Sequence, residues 1–382
     1  MSRYHTPAVD LLSKPAQSRR FEQVVRSLHQ AQTNNGVFPE QFSLPKTVVP
    51  VEAWETQERF LHHETAGWVA AWRDHLPPAY RPQTYLGLTS SNLIDCSRAM
   101  ESNELATYLV RECREAIRAA DSRAQKLGSA VREGRTHGQV AHPVLRQEVY
   151  LRFREELSRA MSSLHHPDIF GSLSGPTGNP DERVLSHTIR HETAYLLGIQ
   201  LDPHPTQLSS RIQYLGWYQS LYRLVAICEQ LALHHRLESI AGVDRFQESF
   251  DQGTQRGSSS MPHKRNPARS ERICGLARVA RGHLQSLTEA SSDMWWERDL
   301  SNSSTERVSY TGLVEVVSFV LSETADILRT ARVSQEKVHI PESAYSSRML
   351  VDRQLDGLDP DESYYQLQKE LQDGEDTRAE NL

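Results

Sequence analysis

Long apolar stripes of helical period dominate this sequence and restrict what it can fold into. Between 104 and 130, Leu105, Leu109, Cys113 and Ile117 recur every four residues, with Arg and Glu between them. From 212 to 236, Ile212, Leu215, Leu221, Leu224, Val225, Cys228 and Leu231 keep one stripe for more than six turns. Ile273, Leu276, Ala280, Leu284 and Leu287 continue the pattern over 270–290, and Leu313, Val316, Val317, Val320 and Leu328 make a fourth stripe. The segment 144–164 predicts a fifth helix, and no alternating strand pattern competes, so the fold class is all-α. Helices this long exceed the three or four turns of an average one and belong in bundles, where each buries a stripe against neighbours. Their apolar faces exceed what one four-helix core needs, which predicts that some pack against other subunits.

The segments between the stripes differ in kind. Residues 82–95, 132–143, 171–180 and 251–267 are rich in Gly, Ser, Thr and Pro, break the periodicity and carry many reactive side chains. Loops on a rigid helical frame are where sites usually sit. The end of the chain, ELQDGEDTRAENL, is acidic and aperiodic and reads as a frayed tail. The expected division is an N-terminal helical part over 1–95, a central long-helix part over 96–310, and a reduced C-terminal part over 311–382.

Several functions are excluded at this level. A formal net charge of −6 argues against a nucleic-acid partner. No run of about 18 apolar residues predicts a membrane span, and the N-terminus, MSRYHTPAVDLL, lacks the apolar run of a signal peptide. Cys96, Cys113, Cys228 and Cys274 are widely spaced, which predicts free thiols and a cytoplasmic setting. His62-His63, His165-His166 and His234-His235 are adjacent rather than four apart, and no H-E-x-x-H or C-x-x-C occurs, so no metal is expected. GSLSGPTGN (171–179) lacks the Gly-Lys-Ser/Thr ending of a phosphate loop, and no Ser sits in G-x-S-x-G.

The stretch GSSSMPHKRNP (257–267) suits a particular chemistry. A serine hydroxyl becomes a base only where backbone N–H groups and nearby cations hold its alkoxide away from water. Gly257 and the serines permit tight turns that aim N–H groups at one point, Lys264 and Arg265 add positive charge, and Asn266 adds a neutral donor. Gly253 and Gly257 could act as hinges. This set fits removal of a carbon-bound proton beside a carboxylate. Such a reaction also needs an acid, a proton-transfer role that histidine takes most often, and His137 follows Thr136 in a loop between two predicted helices. A lone loop histidine is most often a surface residue, and a loop Lys–Arg pair is most often solvated, so these residues alone leave both readings open.

GSSSMPHKRNP resembles the signature loop of the fumarase/aspartase superfamily, whose lyases release fumarate from a substituted succinate. RYHTP (3–7), YLGLTSSNLID (85–95), GRTHGQ (134–139), GSLSGPTGN, ARSERICGLARVARG (268–282), WERDLSNSSTERV (296–308) and SSRMLVDRQLDG (346–357) are similar to the adenylosuccinate lyase branch, in that family's order. The resemblance implies a three-part all-α fold whose central helices assemble into a homotetrameric core, with each site built from loops of three subunits. It implies cleavage of adenylosuccinate to AMP and fumarate, and of the related succinyl-aminoimidazole-carboxamide ribotide, with no cofactor. Ser258 would be the base, with Ser259 its neighbour, and His137 the acid that protonates the departing nitrogen. Thr136 would hold substrate and His63 would assist His137 or touch substrate. Lys264 and Asn266 would bind carboxylates, and so would Thr89 and Ser90. Glu271 would orient His137 or a neighbouring group. Arg3 and Tyr4 would face the nucleotide, Ser303 and Arg307 its phosphate, and Tyr85, Gln207 and Arg211 would complete the substrate contacts.

The chain departs from that family at identifiable positions. Tyr85 stands where the family has His, Asn92 and Glu64 where it has Asp, and Ser-Ser-Arg-Ile-Gln-Tyr (209–214) keeps Arg211 but loses a second Arg and a His. The region after Arg307 is short. These changes leave two alternatives beside adenylosuccinate lyase. One is a paralogous lyase or cycloisomerase acting on another N-substituted aspartate or dicarboxylate. The other is an inactive helical scaffold, against which Ser258, Lys264 and His137 stand.

Overall fold

The computed structural model describes residues 3–39, 43–165, 167–243, 245–251, 253–258, 260–336, 338 and 340–379, with side chains as far as 372. After a short turn, α1 (Pro7–Asp10), the N-terminal helices are α2 (Lys14–Asn34), α3 (Val51–Leu61) and α4 (Glu64–Asp74). The long helix α5 (Ser90–Leu127) leads into a hairpin, β1 (Val131–Thr136) and β2 (Gln139–Leu145), then α6 (Glu148–Ser162), α7 (His187–Leu197) and α8 (Leu215–Glu238). The strand β3 (Phe246–Gln247) precedes α9 (Ala268–Ser292), α10 (Ser301–Thr305), a π-helical turn over Glu306–Tyr310 and α11 (Thr311–Thr330). The chain closes with β4 (Arg332–Val333), α12 (Ser346–Leu355) and α13 (Pro360–Ala379).

The predicted stripes are α5, α6, α8, α9 and α11, and these five helices pack on one another as a bundle. Their buried faces form one continuous core, from Leu105, Leu109 and Cys113 through Leu221, Leu224 and Cys228 to Leu313, Val317 and Leu321. Each such side chain contributes about 1.5–3 kcal/mol by leaving water. A second core joins α2, α3, α4 and the start of α5 around Phe21, Trp54, Trp68 and Trp72, with Trp68 and Trp72 stacked at 5.5 Å. Two indole N–H groups there are placed: Trp68 donates to Ser18 Oγ at 2.9 Å and Trp54 to the Glu64 carbonyl at 2.9 Å. All four cysteines are buried free thiols. Among the described residues, no helix is long and apolar enough to cross a membrane, and no cluster of ligating side chains could hold a metal.

Three local expectations are corrected. The helix begins at Ser90 rather than near 104, inside the segment read as loop. Thr89 Oγ1 accepts from the Asn92 amide while Asn92 Oδ1 accepts from the Thr89 amide, a reciprocal cap, and Leu93, Cys96 and Met100 extend the buried stripe backwards. Residues 132–143 are not a loop but the β1–β2 hairpin, closed at Thr136↔Gln139. His137 and Gly138 form its two-residue turn, both with positive φ (52° and 80°), the geometry that matches the twist of paired strands. Its first strand, Val-Arg-Glu-Gly-Arg-Thr, is mostly polar and its second, Gln-Val-Ala-His-Pro-Val-Leu, does not alternate, so a periodicity test misses the hairpin. The tail is helical through Ala379 rather than frayed from Glu370.

Candidate active site

The two ends of the bundle carry different parts of the expected site. At the first end, the start of α5 meets the segment before α8 and the segment after α9. Ser91 Oγ donates to Gln207 Oε1 at 3.0 Å, Asn92 Nδ2 reaches Ser172 Oγ at 3.2 Å, and the Gln207 amide donates to the Glu297 carbonyl at 3.2 Å. Thr89, Ser90, Gln207, Ser303 and Arg307 therefore belong to this end. His63 joins them through its neighbour: Glu64 is ion-paired with Arg307, which also donates from Nε to Ser303 Oγ at 3.4 Å. His63 is the N-cap of α4, and its Nδ1 accepts from the Ala66 amide at 3.2 Å, which leaves Nε2 to carry the proton of the neutral ring.

The second end holds the 251–267 loop and the hairpin. Arg123 at the end of α5 donates to the Leu328 carbonyl, and Arg269 at the start of α9 pairs with Glu323 and Asp326 near the end of α11. Glu248 caps α9 from outside the helix: its carboxylate accepts the amides of Arg269 and Ser270 at 2.9 and 2.7 Å. Ser258 is half-buried, and its Oγ accepts the amides of Ser260 and Met261 at 3.4 and 3.1 Å. These are the N–H groups that an alkoxide needs. Lys264 and Glu271 are exposed at the loop's far side and on the first turn of α9, and Asn266 Nδ2 donates to the Gly257 carbonyl at 3.4 Å. Arg265 turns back onto the loop's own base, donating to Gln247 and lying over the Phe250 ring. Ser259 lies outside the described residues.

Gly257 is required by space. A Cβ there would lie 2.4 Å from the Lys264 carbonyl oxygen, so the two halves of the loop can close only over a glycine. Gly257→Ala is expected to leave the melting temperature nearly unchanged and to lower turnover by roughly 10²-fold, because it displaces Ser258 relative to Lys264. Steady-state kinetics and a thermal melt check this together.

Thr136 and His137 sit exposed at the hairpin tip. A chain of ion pairs stiffens it: Arg245 grips both oxygens of Glu133 at 2.9 and 3.0 Å, Glu133 pairs with Arg135, and Arg135 donates to the Gly138 carbonyl at 3.0 Å. The Arg245 bonds hold the Glu133 carboxyl below its usual range. Sequence reading missed Glu133 and Arg245, which are 112 positions apart, and Glu248, whose partners lie 21 and 22 positions on. The signal for Glu133 was present only as charge density around GRTHGQ.

Two expected contacts take other positions. Arg211, expected at the substrate, is 4% exposed and inside the fold. It donates to Asp95 Oδ1 at 2.7 Å, Glu306 Oε1 at 2.8 Å, and the Ser209 carbonyl and Tyr214 hydroxyl. Its guanidinium locks the start of α5 to the turn before α11. Tyr4 packs edge-on against Phe319, part-way along α11, with exposed Arg3 beside it. Tyr85 is half-buried, and burial pushes its hydroxyl pKa up against the pull of Arg73, so it stays neutral where a histidine would titrate. Among the described residues, non-glycine positive φ occurs at His62, Tyr85, His137 and Trp296, each within or beside a site segment. Such conformations cost about 1–3 kcal/mol and gather at functional sites.

The two ends cannot serve one small molecule within one chain. The 25-residue helix α9 separates them, and at about 1.5 Å per residue it spans about 37 Å.

A family model described as "Lyase" matches residues 87–282, a span that holds the start of α5, the hairpin and the 251–267 loop. The structure superposes on 3-carboxy-cis,cis-muconate lactonizing enzyme from Pseudomonas putida with a TM-score of 0.82 at 18% identity, covering 96% of this chain and 85% of that one. It superposes on a fumarate lyase from Mesorhizobium sp. BNC1 with a TM-score of 0.79 at 17% identity, covering 94% and 84%. The chain belongs to the fumarase/aspartase superfamily of lyases. Among its relatives are the adenylosuccinate lyase of Synechocystis sp., 30% identical over 88% of this chain and 78% of that protein, and that of Thermotoga maritima, 26% identical over 87% and 78%.

Proposed function

We propose that this protein is an adenylosuccinate lyase that eliminates fumarate from adenylosuccinate to leave AMP, and from succinyl-aminoimidazole-carboxamide ribotide, in purine nucleotide biosynthesis. The observation that carries the reading is the Ser258 hydroxyl, facing the Ser260 and Met261 amides in a loop that also holds Lys264 and Asn266. In this scheme the Ser258 alkoxide takes a proton from the succinyl Cβ. The electron pair left on carbon spreads into the adjacent carboxylate, which Lys264 and Asn266 hold. It then forms the carbon–carbon double bond of fumarate as the C–N bond breaks, and His137 protonates the departing nitrogen. The scheme uses no cofactor.

The site would be completed by assembly. Phosphate ligands at one bundle end and the base at the other meet only if subunits pack antiparallel, as in a homotetramer with shared sites. Exposed Leu233 and Leu237 on α8 and Val279 on α9 supply apolar surface for that packing. The structure also bears on the alternative substrate. Asn92, one of the departures that favour it, is an interior packing group here, as is the retained Arg211, which leaves Tyr85 and the altered segment after Arg211 as its main support.

Shared sites predict complementation. Ser258→Ala and His63→Ala proteins, each impaired, should regain about a quarter of wild-type activity when mixed tetramers form at equal dose, because the two residues stand at opposite bundle ends and a shared site draws them from different chains. No recovery in mixed tetramers, verified by tags, would place both groups on one chain.

A further inference from the structure

Beside His63 lies an open groove of about 610 Å³ walled by Lys14, Glu55, Glu58, Arg59, Glu64 and Arg307. Three carboxylates face three cations, so the groove is balanced before any ligand arrives. Lys14 is held by Glu55 and Glu58 at 3.2 and 3.0 Å, and Arg59 reaches Thr56 Oγ1. Arg307, the cation expected to take phosphate, is already occupied by Glu64. Its side chain is 53% exposed while that of Glu64 is 12% exposed, so the guanidinium is reachable and its partner is seated in the wall.

We propose that Glu64 sets the affinity of the phosphate subsite, an internal anion that the phosphate group of the nucleotide must displace from Arg307. The inference rests on the reading that Ser303 and Arg307 receive that phosphate. A dianionic phosphate outcompetes a single carboxylate for one guanidinium, whereas a ligand lacking phosphate leaves the pair closed. The displaced carboxylate is not stranded. Glu64 lies in the first turn of α4, where the helix dipole favours an anion, and its carbonyl remains fixed by the Trp54 indole. Glu64 thereby weakens the hold on a phosphate-bearing product and speeds its release.

The test is calorimetric titration of the assembled protein with AMP, using adenosine as a phosphate-free control. Glu64→Gln is expected to tighten AMP about three- to fivefold, the range of a partly exposed ion pair, and to leave adenosine unchanged. Glu64→Ala should give the same sign. Arg307→Met should weaken AMP, and Glu64→Gln should bring no gain in its background. If Arg307→Met weakens AMP but Glu64→Gln does not tighten it, this role of Glu64 is wrong and the phosphate placement stands. If neither substitution changes AMP binding, both are wrong.

Discussion

Replacing Ser258 by alanine should lower kcat by about 10³-fold, with KM and thermal stability nearly unchanged. The side chain is half-buried in an irregular loop and packs no core, so its loss leaves no cavity. What disappears is the oxygen that faces the Ser260 and Met261 amides. Those amides stay in place, but with no alkoxide to hold, proton abstraction from the substrate carbon loses its base. Substrate contacts assigned to Lys264, Asn266 and the phosphate groove are untouched, hence the small change in KM. Progress curves followed at the absorbance of fumarate, with a circular-dichroism melt of the same sample, measure both effects. A loss under tenfold would remove Ser258 from the base role.

The second large effect concerns stability. Arg211→Met should destabilise the protein by about 3–5 kcal/mol near neutral pH, because it leaves Asp95 and Glu306 buried without their shared cation. Burial alone would raise the Glu306 pKa, but Arg211 and Arg98 outweigh it and hold the carboxyl below its ordinary value. The sign follows from linkage. A depressed carboxyl contributes stability above its unfolded pKa and loses it as pH falls through the folded value. The substituted protein lacks part of that contribution, so the difference between the two should shrink on acidification towards pH 4. Urea unfolding at fixed protein concentration, at neutral pH and near pH 4.5, checks both size and trend. Adding Asp95→Asn should recover part of the loss. A cost under about 1 kcal/mol would show that the network is not structural.

The bundle was legible in the sequence because a stripe such as Leu221, Leu224, Val225 and Cys228 states its own burial. The hairpin was not. Its strands show no apolar–polar alternation, and Arg245 reaches Glu133 from more than a hundred positions away. The site was legible as three motif segments but not as a geometry. Ser258, Lys264 and Asn266 share one loop, and the pairing of Arg307 with Glu64 brings the phosphate groove to His63 across 243 positions. Arg211 shows the opposite limit. An arginine beside a motif reads as a ligand contact in sequence, yet here Asp95 and Glu306, remote in the chain, draw it into the interior.

The most direct measurement is incubation of the purified protein with adenylosuccinate, followed by quantitation of both products. The account predicts fumarate and AMP in equal amounts, formed by the wild type and lost in Ser258→Ala and His137→Ala. A folded, assembled protein that forms neither product from adenylosuccinate, but releases fumarate from a different N-substituted aspartate, would contradict it.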